Sequence, residues 1–252
     1  MQTIIDILEL AEKYEKELPP APEELVQPKG AALAGWIDHT LLKPDALAEQ
    51  IKNLCMEARQ HRFATVCVNP VYVPLAAGLL RDSGVGVCSV IAFPLGANLP
   101  ASKAAETHDA INAGANEIDM VINIGAMKSA AYGLLQEDIS AVVEEAHRSN
   151  VPVKVILEMV FLTQREKIIG CLVSQSANAD FVKTSTGFAS GGATVDDVAL
   201  MRRVVGAKTG VKAAGGIRTL KDARSMINAG ANRLGASAGV TILKESIEES
   251  GV

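Results

Sequence analysis

The chain has 252 residues, 48% of them hydrophobic, and its 24 Lys and Arg against 29 Asp and Glu leave a net charge of −5. Length and apolar content suffice for one large core, and α/β barrels run to about 250 residues as a single domain. The acidic balance argues against a broad surface for nucleic-acid phosphates, so an anionic small ligand needs local positive charge.

Ile4, Ile5, Leu8, Ala11 and Leu18 recur at roughly helical spacing, and Leu18-Pro19-Pro20-Ala21-Pro22 cannot continue a helix. Residues 1–30 are expected to be an appended helix and Pro-rich linker, and residues 31–252 the catalytic domain. Acidic residues interrupt the first apolar stretch, which lacks the basic start of a secretory leader. No apolar run approaches the roughly 18 residues needed to cross a membrane, so the expected location is the cytoplasm.

From Trp36 onward, short β-rich runs alternate with longer helical patterns. The runs cover residues 36–42, 65–68, 87–93, 117–123, 153–158, 181–184, 211–214 and 233–236, which predicts eight strands. Helical spacing of apolar residues marks 47–59, 103–113, 139–149, 194–205 and 220–229. Such alternation implies a parallel sheet. An internal repeat points further: Ile111-Asn112-Ala113-Gly114-Ala115-Asn116 recurs as Ile227-Asn228-Ala229-Gly230-Ala231-Asn232, with a looser copy at Ser176-Ala177-Asn178-Ala179-Asp180. The copies end 64 and 52 residues apart, two β/α units in each case, and eight such units close a (β/α)8 TIM barrel.

The four cysteines, Cys55, Cys67, Cys88 and Cys171, form no Cys-x-x-Cys and accompany no paired His cluster. Neither zinc nor a disulfide framework is suggested, and reduced, mostly buried thiols are expected.

In a barrel the chemistry sits at the carboxyl ends of the strands. Those ends are polar here: Asp38 and Thr40, Asn69, Asp119 and Asn123, Lys154 and Glu158, Lys183 and Thr184, Lys212, and Ser237. Lys183 and Lys212 each close a short β-rich run ahead of glycines, and two nearby ammonium groups disfavour each other's protonation, so one of them can act as an amine nucleophile. Any single lysine there could equally be half of a structural ion pair. For phosphate, Thr186-Gly187, Gly215-Gly216 and the Gly235-Ala236-Ser237 turn offer bare backbone N–H groups after strands six, seven and eight. Cys67 reads first as a small core residue, although a strand-end thiol can face substrate. Alternation points Asp38 and Thr40 one way and His39 the other.

The stretches Asp38-His39-Thr40-Leu41-Leu42-Lys43-Pro44, Val66-Cys67-Val68-Asn69-Pro70, Phe93-Pro94-Leu95-Gly96, residues 117–123, residues 181–187 and residues 210–219 resemble the deoxyribose-phosphate aldolases, class I aldolases on a (β/α)8 barrel. The likeness spans about residues 33–243. It implies that Lys183 forms a Schiff base with the substrate aldehyde, that Lys212 lowers its pKa, and that Asp119 moves protons, partly through water. Substrate binding is expected from Asp38, Thr40, Cys67, Thr184, Thr186, Gly187, Gly215, Gly216, Gly235 and Ser237. No cofactor and no metal is implied, because the iminium itself serves as the electron sink. The expected partners are small aldehydes and phosphosugars, with no nucleic acid and no membrane, and the expected assembly is a homo-oligomer, dimer or tetramer.

Three positions depart from the family pattern: Met159 follows Glu158 where threonine is common, Ala92 precedes Phe93 where glycine is common, and the terminal Glu249-Ser250-Gly251-Val252 lacks the tyrosine of some members. These bear on substrate range more than on the Schiff-base step. Two alternatives remain: the same lysine chemistry with a different acceptor, and a non-catalytic barrel that binds phosphosugars.

Overall fold

The computed structural model describes residues 2–22 and 27–251; Met1, residues 23–26 of the expected linker and Val252 lie outside that range. Eight parallel strands close into a barrel in sequence order. They are β1 (Ile37–Leu41), β2 (Thr65–Val68), β3 (Gly86–Ile91), β4 (Glu117–Val121), β5 (Val153–Ile156), β6 (Phe181–Lys183), β7 (Gly210–Ala214) and β8 (Arg233–Ala236). The helices are α1 (Ile4–Lys16), α2 (Ala48–His61), α3 (Val73–Leu80), α4 (Pro100–Asn112), α5 (Ile124–Lys128), α6 (Tyr132–His147), α7 (Gln164–Ser176), α8 (Val195–Val205), α9 (Leu220–Asn228) and α10 (Gly239–Glu249). This is the (β/α)8 barrel expected from the alternation, preceded by the expected helix. Among the described residues no helix is long and apolar enough to cross a membrane.

The repeat has a physical explanation. Its last residue accepts a hydrogen bond from the first or second amide of the preceding strand: Asn116 Oδ1 from Val87 N, Asp180 Oδ2 from Val153 N, and Asn232 Oδ1 from Val211 N. Each copy thus ties a neighbouring pair of strands together at the amino end of the barrel. The turn before it takes a left-handed residue, Gly114 at φ 111°, Asn178 at φ 61° and Gly230 at φ 116°, positions where glycine and asparagine carry the least steric cost. A side chain at Gly230 would also strike Arg202, its Cβ falling 2.5 Å from Arg202 Cγ.

β4 and β5 each stop two residues short of their sequence-predicted ends. β4 ends at Val121 because Asn123 turns to cap α5, its Oδ1 accepting from Ala126 N at 2.9 Å. β5 ends at Ile156 because Glu158 takes a left-handed backbone conformation at φ 53°.

α1 starts at a capping box, with the Thr3 side chain accepting from Asp6 N and the Asp6 carboxylate accepting from Thr3 N. It buries Ile7 and Ala11 and packs along α7, with Glu15 paired to Arg165. Past the helix, Arg203 donates to the carbonyls of Pro19 and Leu18 at 2.7 and 2.8 Å, holding the chain against α8. Each large apolar side chain fully buried is worth about 1.5–3 kcal/mol. Deleting residues 1–20 should therefore lower the melting temperature by roughly 5 °C or more at about 2–4 °C per kcal/mol. An unchanged thermal transition would mean that α1 rests on the barrel without stabilising it.

Candidate active site

Strand register converts the scattered polar residues into one network. Lys183 is the register partner of Lys212 across β6 and β7, and Asp119 that of Lys154 across β4 and β5. Their side chains converge inside the barrel on the Asp119 carboxylate, which is fully buried. Its Oδ2 accepts from Lys183 Nζ and from Lys212 Nζ, both at 2.7 Å. Its Oδ1 accepts from Lys154 Nζ at 3.0 Å and faces the Cys88 thiol at 3.1 Å. Below this layer Lys212 Nζ meets Asp38 Oδ2 at 2.5 Å, Arg233 meets Asp38 Oδ1 at 2.7 Å, and Lys154 meets Glu117 at 2.5 Å.

Burial alone would push these groups toward their neutral forms, but the opposite charges prevail. Asp119 loses its hydration, yet the ammonium groups of Lys154, Lys183 and Lys212 hold its carboxyl well below the usual carboxylate range. Asp38 is held low in the same way by Lys212, Lys154 and Arg233. Lys212, equally buried, is pushed above the ordinary lysine value by Asp119 and Asp38, and Lys154 well above it by Asp119. Lys212 is therefore a fixed cation at neutral pH. It has room for its stem because β8 offers Gly235, where a Cβ would stand 3.1 Å from Lys212 Cε.

Lys183 differs in position. It forms the floor of a cleft of about 400 Å³ at the carboxyl end of the barrel. The cleft is walled by Thr40, Thr186 and Gly187, by Gly215 and Gly216, and by Gly235 and Ser237. Lys43, Arg218 and Phe188 also line it. Lys43 and Arg218 are exposed and make no ion pair among the described residues. Gly215 and Gly216 adopt φ of 90° and 81°, a conformation open to glycine.

A family model for the DeoC/LacD family aldolase matches residues 33–248. The chain is 57% identical over 217 residues to a deoxyribose-phosphate aldolase from Lysinibacillus sphaericus, covering 86% of this chain and 97% of that protein. It is 59% identical over 208 residues to one from Streptococcus suis, covering 82% and 94%. The chain belongs to the DeoC/LacD family of aldolases. Among solved structures, a candidate deoxyribose-phosphate aldolase from Coccidioides immitis superposes with a TM-score of 0.89 at 40% identity, covering 100% of this chain and 99% of that one. A tetrameric deoxyribose phosphate aldolase from Aeropyrum pernix superposes with a TM-score of 0.80 at 32% identity, each chain covered in full.

Within this DeoC/LacD aldolase the residues expected at the site divide into two layers. Thr40, Thr186, Gly187, Gly215, Gly216, Gly235, Ser237 and Lys183 line the cleft, whereas Asp38, Asp119 and Lys212 lie beneath it, buried inside the strands. Three residues expected to bind substrate do not reach the cleft wall: Asp38, buried in the layer beneath it, Thr184 and Cys67. Thr184 is buried and its hydroxyl braces β6 against β7, donating to Ala214 O at 3.0 Å and accepting from Ala214 N at 3.1 Å. Cys67 packs below the wall with Leu42, Cys88, Val90 and Phe93.

Lys154, Glu158, Lys43, Arg218 and Phe188 were not assigned to the site from sequence. Lys43 and Arg218 lie inside the family-like stretches at 38–44 and 210–219, and that membership was the available signal. Glu158 accepts from the Thr186 backbone N at 3.1 Å and from the Thr186 hydroxyl, shaping the loop after β6.

The departures from the family pattern also find their places. Met159 is buried in the main core and does not line the cleft. Ala92 sits at φ 51°, the left-handed region that the family's common glycine occupies without strain. His39 turns outward as alternation required, its Nε2 lying 2.7 Å from Glu57.

Proposed function

We propose that the protein is a class I aldolase that reversibly cleaves 2-deoxy-D-ribose 5-phosphate to D-glyceraldehyde 3-phosphate and acetaldehyde, through a Schiff base on Lys183. The observation that carries this reading is the chain of contacts from the cleft floor inward: Lys183 to Asp119 at 2.7 Å and Asp119 to Lys212 at 2.7 Å. Relatives named deoxyribose-phosphate aldolase, 57% and 59% identical along nearly their whole length, support the substrate.

Four cations, Lys154, Lys183, Lys212 and Arg233, face three carboxylates, Asp38, Glu117 and Asp119. Lys183 is the member that reaches the cleft, so it is the amine available to an aldehyde. Its nitrogen adds to C1 of the open-chain sugar, and loss of water leaves an iminium. The iminium draws electrons from the C2–C3 bond as the 3-hydroxyl loses its proton, and glyceraldehyde 3-phosphate departs. Hydrolysis of the remaining enamine releases acetaldehyde. Asp119, within hydrogen-bond reach of the Lys183 nitrogen, moves protons at the carbinolamine and enamine stages.

The phosphate is assigned to the glycine turns Gly215-Gly216 and Gly235-Ala236-Ser237 with Thr186-Gly187, where bare N–H groups meet an anion, flanked by the exposed charges of Lys43 and Arg218. Incubation with 2-deoxyribose 5-phosphate should yield acetaldehyde and glyceraldehyde 3-phosphate in equal amounts. Binding of the sugar phosphate with no product would favour the non-catalytic barrel instead.

Lys212→Leu tests the electrostatics. Removing Lys212 deletes a positive charge beside Lys183 and leaves Asp119 less neutralised, and both changes favour the protonated form of Lys183. The pH at which half the protein can be trapped as iminium should rise in this variant. An unchanged trapping profile would show that the two lysines are not coupled.

We propose residues 31–252 as the catalytic unit and residues 1–30 as its appended brace. We also propose a cytoplasmic homo-oligomer, dimer or tetramer; the Aeropyrum pernix relative is a tetramer.

A further inference from the structure

We propose that Cys67 and Cys88 form a reversible disulfide inside the barrel, and that this bond switches the aldolase site off; the second half rests on the proposed role of Asp119. Cys67 on β2 and Cys88 on β3 are register partners on neighbouring strands. Paired strands lie about 4.8 Å apart, within the roughly 4.4–6.8 Å between Cα atoms that a disulfide spans. Both thiols face the lumen, and their sulfurs and an Asp119 oxygen all lie within 4.8 Å of one another. A metal ion is the competing use of such a triplet. Three ammonium groups already surround Asp119 and repel a cation.

The two thiols are chemically unequal. The neighbouring Cys88 thiol holds Cys67 below its ordinary value against its burial, with help from Lys212 and Lys183, whereas burial pushes Cys88 well above it. Cys67 is thus the attacking sulfur and Cys88 the resolving one. The other two thiols do not compete, since burial raises Cys55 to about 11 and Cys171 further. Access is short: the pair packs against Leu42 and Phe93, Leu42 lines the cleft, and Phe93 meets Phe188 edge-on at 5.2 Å.

Hydrogen peroxide is the oxidant of the right size. The Cys67 thiolate attacks one peroxide oxygen and the O–O bond breaks, giving a sulfenic acid and hydroxide, which takes up a proton as water. The Cys88 sulfur then attacks the Cys67 sulfur, the S–O bond breaks, and the departing hydroxide leaves with the Cys88 proton as a second water. Two thiols and one peroxide become one disulfide and two waters, with two electrons passing from sulfur to peroxide. The Cys88 sulfur, 3.1 Å from Asp119 Oδ1 and 3.5 Å from Lys154 Nζ, is drawn toward β2 and loses its S–H. The Cys67 thiol, 4.0 Å from Asp119 Oδ2, loses its S–H as well, so Asp119 is left with three of its five donors.

The test is to treat the whole protein with hydrogen peroxide, block free thiols with iodoacetamide, and digest with trypsin without reductant. Cleavage after Arg62, Arg81 and Lys103 places Cys67 in peptide 63–81 and Cys88 in peptide 82–103. These two peptides should appear linked, two hydrogens lighter than their sum, in step with loss of deoxyribose 5-phosphate cleavage. Dithiothreitol should separate them and restore at least half of the lost rate. Cys88→Ser should give no link and no dithiothreitol-reversible loss. Oxidation of Cys67 alone, or reversible loss that persists in Cys88→Ser, would overturn the proposal. A protein that links but never cleaves the sugar would sink the proposed function and leave the thiol pairing intact; one that cleaves but never links would do the reverse.

Discussion

Lys183→Ala should abolish turnover and leave the fold intact. The lysine is the only amine of the buried network that reaches the cleft, so no neighbour can replace it: Lys212 and Lys154 are both held charged behind Asp119. Loss of the nucleophile removes the covalent route itself, and the residual rate should fall by roughly 10⁴-fold or more, as for other residues that act as a catalytic unit. Removing a cation from a network of four cations and three carboxylates leaves three of each. The variant should therefore melt within a few degrees of the parent. Borohydride reduction in the presence of acetaldehyde should add a two-carbon group to Lys183 of the parent, which blocks tryptic cleavage there and places the label in peptide 168–202, and none in the variant. Label elsewhere, or turnover in Lys183→Ala, would refute the Schiff-base assignment.

The architecture was legible because its signals are local. Short β-rich runs alternated with apolar residues at helical spacing, and the Ala-Gly-Ala turn recurred between β/α units. Lys183 and Lys212 stood out for the same reason, each closing a β-run ahead of a glycine turn. The depth of each residue was not legible. Alternation says which residues share a face of a strand, but the stagger between strands decides which of them meet in one layer. Lys154 therefore stood only as one polar strand end among several and Arg233 drew no reading, although both complete the buried network. Thr184 sat among hydroxyls that looked equivalent, and only the β6–β7 register turns it into a backbone brace while Thr186 reaches the cleft. The exposed Lys43 and Arg218 had no partner in sequence to single them out, since what marks them is a shared cleft between loops 175 residues apart in the chain.

Asp119→Asn separates binding of the aldehyde from movement of its protons. The substitution keeps the shape of the side chain but removes the charge that holds three lysines, and it turns an amide NH2 toward ammonium groups. Without that anion the neutral amine of Lys183 is less opposed, so acetaldehyde should still be trapped by borohydride. Turnover should fall by roughly 10² to 10⁴-fold, the usual contribution of a general acid or base. Stability should fall too, because breaking a buried ion pair by removing one partner costs about 3–5 kcal/mol. The pH dependence gives an independent readout. Asp119 is held well below the usual carboxylate range in the folded protein, so its stabilisation is fully present above an unfolded value of about 3.9 and is lost as pH falls through the folded one. The parent should lose stability as the medium is acidified below about pH 4, and the variant should lose less over the same interval, with Asp38 supplying the remainder. Trapping at parental levels with turnover lost and a flatter acid limb would place Asp119 in proton transfer. Parental turnover in Asp119→Asn would confine it to holding the lysines in place.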